Sequence, residues 1–524
     1  MLSAGFPWLT ALIVVPLVGA GGVWALPASA RVHARPIALG VSLVELAVAV
    51  GAALSFDTAA AGTHQLAELH SWIPAIGASY AVGVDGVGLL LVLLSVIMTP
   101  LVLLAAWREQ DGDLGRLRHY VALILVAETF MVAVFAARDL FLFYVLFEAM
   151  LVPVYFLIGS FGGLQRRYAA VKFLIFSLAG GLVMLVAVIA LYLHGPGGPQ
   201  GFLTDHLTGI ALPVTTERAM FLAFFLAFAI KAPMWPVHTW LPDVAETAPA
   251  GTSTLLVGVL DKVGTFGMLT LCLPLFPNAA RWAAPAIMVL AVISILYGAL
   301  LAIGQKDLMR LIAYTSVSHF GFIVLGIFAF TSVSVEGSAF YMLNHGLSTG
   351  ALFLIAGFLV ARRGSQQIAD FGGLQKVVPV LAGTFLVAGL SALSLPGLAT
   401  FVSEFLVLIG TFARSGPAAV AAVLGVVLAA IYVLLTYQRI FTGPVPGDLT
   451  ATPDLSVREK WVVGPLIALL LVLGFYPAPA LDLVRAPATI TIQHVGARDV
   501  PAAHRATARS AGSAAAGADE RSTK

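Results

Sequence analysis

Charge is what this sequence most lacks. Asp, Glu, Lys and Arg make up 10% of its 524 residues, where a soluble protein carries roughly 25%. Hydrophobic residues fill 60% of it and the mean hydropathy is +0.98. These values exclude a soluble fold and imply a polytopic membrane protein. The net charge of +2 marks no nucleic-acid or acidic partner. Cysteine is nearly absent. Cys272 stands alone, which rules out an intrachain disulfide and a thiolate set for an iron–sulfur cluster. Its apolar surroundings suit a small core residue. A Gly-rich nucleotide loop after a strand is missing too. No Lys or Arg precedes the first apolar segment, MLSAGFPWLTALIVVPLVGAGGVWAL. A secretory signal has a positive n-region, so this segment is expected to remain as a first span.

What the chain has instead is long apolar runs. A spanning helix needs about 20 such residues. Fourteen candidates occur, at 6–26, 34–55, 85–107, 117–136, 139–160, 169–193, 219–241, 251–275, 281–303, 307–330, 338–361, 380–414, 418–441 and 461–477. The longest loops, 56–84 and 194–218, are too short for an extramembrane domain. Loops after odd-numbered spans, taken with the span ends that border them, hold sixteen basic residues, and the internal loops after even-numbered spans, taken likewise, hold four. The positive-inside rule therefore puts both termini on the outer face. Residues 496–524, rich in Ala, Ser, Arg and Gly, are expected to be disordered.

Against this background a few ionisable residues stand inside spans. They are Glu148 in YVLFEAMLVPVYF, Lys231 in AFAIKAPM, Asp261 and Lys262 in VGVLDKVGTFG, and Glu404 in FVSEFLVLIG. Each charge at a span centre costs about 2.5–3.5 kcal/mol on the insertion scale. Structural pairing between helices is one reading. A proton path is the stronger one, because intramembrane ionisable groups mark ion pathways by default. Asp261 is open between the proton path and a role apart from it, a separate pairing or a lumen-facing group, since neighbours at i and i+1 do not face each other. Glu45 and Glu128 suit structural or interfacial roles. His319 follows Thr315 and Ser316 at helical spacing, and His345 precedes Ser348 and Thr349. Such polar stripes can order water, and histidine titrates near neutral pH. No carboxylate or cysteine lies at ligand spacing, so no metal is expected.

The stretch FAIKAPMWPVHTWLPDV sets two prolines just after Lys231. Pro233 frees the carbonyl of Ala229, and Pro236 that of Ala232. Span seven is thus expected to break beside its lysine. Span twelve holds SLPGLAT before Glu404 and is expected to break as well. Two breaks five spans apart predict an all-α fold with two inverted five-helix repeats, spans 4–8 and 9–13. The implied organisation is spans one to three in 1–116, repeats in 117–275 and 281–441, then a cytoplasmic loop and span fourteen in 442–495.

PVHTWLPDVAETAPAGTSTLLVGVLDKVGTFG (236–267), MRLIAYTSVSHFGFIVLG and NHGLSTGALFLIAG closely resemble signatures of one family. It comprises the antiporter-like proton-pumping subunits of respiratory complex I and of Mrp-type Na+/H+ antiporters. The resemblance covers nearly the whole chain. It implies that Glu148 and Lys231 pair, that Lys262 is the central lysine with His319 and His345 along a hydrated axis, and that Glu404 is the terminal site. It also implies proton translocation in NADH:quinone oxidoreductase, in a bacterial inner membrane. The cofactors, flavin, iron–sulfur clusters and quinone, would sit in other subunits. The partners would be other membrane subunits, in particular the antiporter-like subunits L and N on either side. Those two usually have lysine where this chain has Glu404, and L adds a long lateral helix. An Mrp antiporter or membrane-bound hydrogenase subunit is the alternative. Asp261 departs from the apolar residue expected before the central lysine.

Overall fold

A computed structural model describes residues 5–109 and 112–499. The fold is a bundle of apolar helices, started in several places by acidic or hydroxyl caps. Asp85, Asp113, Asp139 and Asp307 accept backbone N–H bonds at the starts of Gly86–Ala105, Leu114–Ala136, Leu140–Ala149 and Leu308–Phe328. Thr331 and Ser456 close capping boxes at Ser332–Arg363 and Val457–Phe475. These side chains satisfy donors that a helix start leaves unpaired.

Among the described residues, ten helices are long and apolar enough to cross a membrane, or eleven if Val457–Phe475 and Ala478–His494, bent by 68°, form one span. Fourteen is not reached by this measure, for three local reasons. Trp8–Trp24 has only 17 residues. Val214–Lys231 carries Glu217, Arg218 and Lys231. The twelfth run is split into Pro379–Ala392 and Ala399–Arg414. Ala478–His494 extends past the span expected at 461–477 and packs on Ser332–Arg363 and Gly86–Ala105.

Both expected breaks are present. Span seven ends as a helix at Lys231 and resumes at Trp240–Thr247. The carbonyl of Ala229 accepts from Met234 N at 3.0 Å, and that of Ile230 from Trp240 Nε1 at 2.9 Å. Freed carbonyls at membrane depth need such partners. The resumed helix is held by ions. Asp243 accepts from Lys172 and from Arg310, each at 2.6 Å, and Arg310 also reaches Glu246 at 2.8 Å. In span twelve, Ser394 (φ 58°) and Gly397 (φ 93°) turn the chain between the two pieces.

Two features escape the hydropathy pattern. The 56–84 loop folds into an antiparallel hairpin, β1 (Gln65–Ile73) with β2 (Ala78–Val84), turned at Gly77 (φ 76°). Span eight is not a uniform α-helix. Leu256–Leu260 and Met268–Cys272 are π-helical and flank Lys262–Gly267. Of the tail expected from 496, residues 500–524 lie outside the described residues. Within 496–499, Asp499 accepts from Ser332 N at 2.8 Å.

Spans eight, ten and eleven form the centre. Their apolar windows are 94%, 94% and 89% buried, against 28% for span two and 33% for span thirteen. The first two and the third of these central helices carry Lys262, His319 and His345 respectively.

Candidate functional site

The site residues fall into two groups joined by Asp261. In the first, Glu148 sits two residues before the point where span five changes from Leu140–Ala149 to Leu151–Phe161. Pro153 there cannot donate to the carbonyl of Ala149. The carboxylate lies against Gly181 of span six, where an added Cβ would overlap its Oε1. Lys231 is 1% exposed, with Nζ 5.7 Å from the Phe147 ring and 5.2 Å from the Phe173 ring. The two groups act on each other electrostatically. They are not joined by a hydrogen bond, because Lys231 Nζ and Glu148 Oε1 both lack a partner among the described residues. The pair stands open, and cation–π attraction of about 0.5–2 kcal/mol holds the ammonium instead.

Asp261 is fully buried, and neither oxygen has a hydrogen-bond partner among the described residues. Its charge acts on Lys231 and on Lys262. It therefore sits electrostatically between the groups. Span eight reaches span seven through Gly264, where an added Cβ would lie 2.5 Å from the Phe228 carbonyl oxygen.

The second group is a hydrogen-bonded run. Lys262 Nζ donates to the carbonyl of Val257 at 2.6 Å and lies 2.6 Å from His345 Nδ1. The π turn makes this possible. Asp261 N bonds the Leu256 carbonyl, five residues back, at 2.9 Å, and so leaves Val257's carbonyl to the lysine. Spans eight and eleven approach through Gly258 and Gly346, where an added Cβ on Gly346 would lie 2.6 Å from the Gly258 carbonyl oxygen. His345 and His319 follow with ring centroids 5.4 Å apart. His319 Nδ1 is 2.7 Å from the Tyr341 hydroxyl, which donates to Glu404 Oε2 at 2.8 Å. Ser394, in the break of span twelve, donates to the same oxygen at 2.5 Å. The Tyr432 hydroxyl is 3.3 Å from His319 Nε2. The run is interrupted once, between the histidines, where His345 Nε2 has no partner among the described residues.

Lys262, His345, His319 and Glu404 are thus brought together, and Glu148 and Lys231 form a separate cluster. Tyr341, Tyr432 and Ser394 were not singled out in the sequence. Tyr341 stands four residues before His345, on the same helix face, and that spacing was its signal. Tyr432 gave none. The hydroxyl stripes serve the backbone: Thr315 and Ser316 donate to the Ile312 carbonyl at 2.7 and 3.1 Å, and Ser348 to the Ala388 carbonyl at 3.4 Å. Glu45 and Glu128 are fully buried rather than interfacial. No group of three or more His, Cys, Asp and Glu side chains among the described residues could hold a metal ion.

Broken helices around a buried line of titratable groups define an antiporter-like membrane subunit. The profile of the NADH:quinone oxidoreductase/Mrp antiporter transmembrane family matches residues 137–431. NADH-quinone oxidoreductase subunit M of Mycobacterium tuberculosis (strain CDC 1551 / Oshkosh) is 49% identical over 527 residues, covering 94% of this chain and 95% of that protein. A chain of respiratory complex I from Thermus thermophilus with bound NADH is 31% identical with a TM-score of 0.85, covering 93% of this chain and 99% of its own. A chain of the Mrp complex from Dietzia sp. DQ12-45-1b, 22% identical with a TM-score of 0.81 over 93% of this chain and 99% of its own, shares the fold. The chain belongs to the NADH-quinone oxidoreductase subunit M family.

Proposed function

We infer that this chain is the proton-translocating membrane subunit M of an NADH:quinone oxidoreductase. The observation that carries the reading is the buried run from Lys262 through His345, His319 and Tyr341 to Glu404 within the three most enclosed spans and the broken twelfth. Electron transfer in other subunits, which hold flavin, iron–sulfur clusters and quinone, changes the charge beside Glu148. That change closes or opens the Glu148–Lys231 pair. A lysine losing its counter-charge in a low-dielectric site binds its proton less tightly. The released charge is passed through the Asp261 field to Lys262, along the histidines, and to Glu404.

The two broken spans support the division into inverted repeats at 117–275 and 281–441, flanked by 1–116 and 442–495. The loop-charge asymmetry supports both termini outside, and the bacterial relative supports an inner-membrane location. Antiporter-like subunits L and N are the proposed neighbours. Lys231→Ala is expected to abolish most NADH-driven proton translocation in membrane vesicles while the complex still assembles. Full translocation by that variant would overturn the reading.

A further inference from the structure

We propose that Tyr341 relays the proton between His319 and Glu404, and that Tyr432 sets the starting tautomer of His319 for that transfer. The inference rests on the proton-translocation reading and adds two side chains to it. Tyr341 is fully buried and Tyr432 is 1% exposed, so bulk water does not compete for either hydroxyl.

A phenol has one hydrogen to give. Tyr341 lies within hydrogen-bond distance of both His319 Nδ1 (2.7 Å) and Glu404 Oε2 (2.8 Å), and it can donate to only one at a time. With its hydrogen on Glu404, its oxygen lone pairs face Nδ1, and the bond forms only if Nδ1 carries a hydrogen. On the far side of the ring, Tyr432 donating to Nε2 makes that nitrogen the acceptor, which selects the same tautomer. All donors then point one way, from Tyr432 to His319 to Tyr341 to Glu404.

The transfer balances without a co-reactant. A proton delivered to Nε2 forms an N–H bond there. The Nδ1–H bond breaks as an O–H bond forms on Tyr341, and the original Tyr341 O–H bond breaks as one forms on Glu404. One proton has entered and one has reached the carboxylate. His319 ends in the other tautomer, and Tyr341 ends with its hydrogen facing Nδ1. The weaker 3.3 Å contact at Nε2 is the side that yields to the incoming proton.

The test uses the whole complex in sealed vesicles driven by NADH. Tyr341→Phe keeps the ring and its edge contact with His319, centroids 5.9 Å apart, and removes only the oxygen. Translocation should fall at least about tenfold with the complex intact, and Tyr341→His, which restores a donor and an acceptor, should recover part of it. Tyr432 is a positioning residue, so Tyr432→Phe should shift the pH profile of translocation. Wild-type rates in Tyr341→Phe with an unchanged profile would overturn the proposal. If Tyr341→Phe does not assemble, an unchanged profile in Tyr432→Phe overturns it alone. Lys262→Ala separates the two levels. If it loses translocation while both tyrosine variants behave as wild type, only the relay falls; if it too translocates normally, the pathway reading falls with it.

Discussion

The Glu148 carboxylate occupies a place that exists only because residue 181 has no side chain. In Gly181→Ala the methyl group would overlap Oε1, and the carboxylate would have to leave its position near Lys231. Small misplacements of reacting groups cost large factors in rate. Translocation in Gly181→Ala is expected to fall on the order of tenfold or more, measured as NADH-driven acidification of vesicles. Gly464→Ala, where an added Cβ meets nothing within 4 Å, is the control and should be silent. The sequence displayed Glu148, Lys231, Lys262 and Glu404 because a charge in an apolar run is conspicuous. It hid Tyr341 and Tyr432 because a phenol fits such a run without disturbing its hydropathy. Of the hydroxyls beside the histidines, Thr315 and Ser316 bond a preceding carbonyl of their own helix, as such side chains do in helices, and Ser348 bonds the Ala388 carbonyl of span twelve.

Among the elements, the two broken spans were legible because proline and glycine interrupt them at fixed places. The π turns of span eight were not. A widened turn leaves no mark on the hydropathy pattern of a helix buried on every side, as this one is. The β1–β2 hairpin is hidden in a loop too short for a domain but long enough for two strands. The resumed helix Trp240–Thr247 depends on Asp243, whose side chain is 19% exposed and bound to Lys172 and Arg310. Asp243→Asn leaves two cations with weaker acceptors. The expected loss of subunit stability is about 1–3 kcal/mol, read as a lower thermal unfolding midpoint of the purified complex. An unchanged midpoint would mean that packing alone seats this helix.

Across the whole molecule, orientation was read from loop charge alone, and it can be measured directly. The single native thiol, Cys272, is buried, which makes the chain a quiet background for labelling. Cysteine placed at Leu164, 106% exposed, should react with a membrane-impermeant maleimide only from the cytoplasmic side. Cysteine at exposed Thr63 should react only from the outer side. The opposite pattern would invert the topology without touching the fold.

The burial gradient has one more consequence. The helices that carry Lys262, His319 and His345 are wrapped in polypeptide, and the less buried helices lie outside them like a sheath around a wire. Exchanging native lipid for a thinner or thicker bilayer should tilt the outer helices first, and the contact lengths along the inner line should stay as they are.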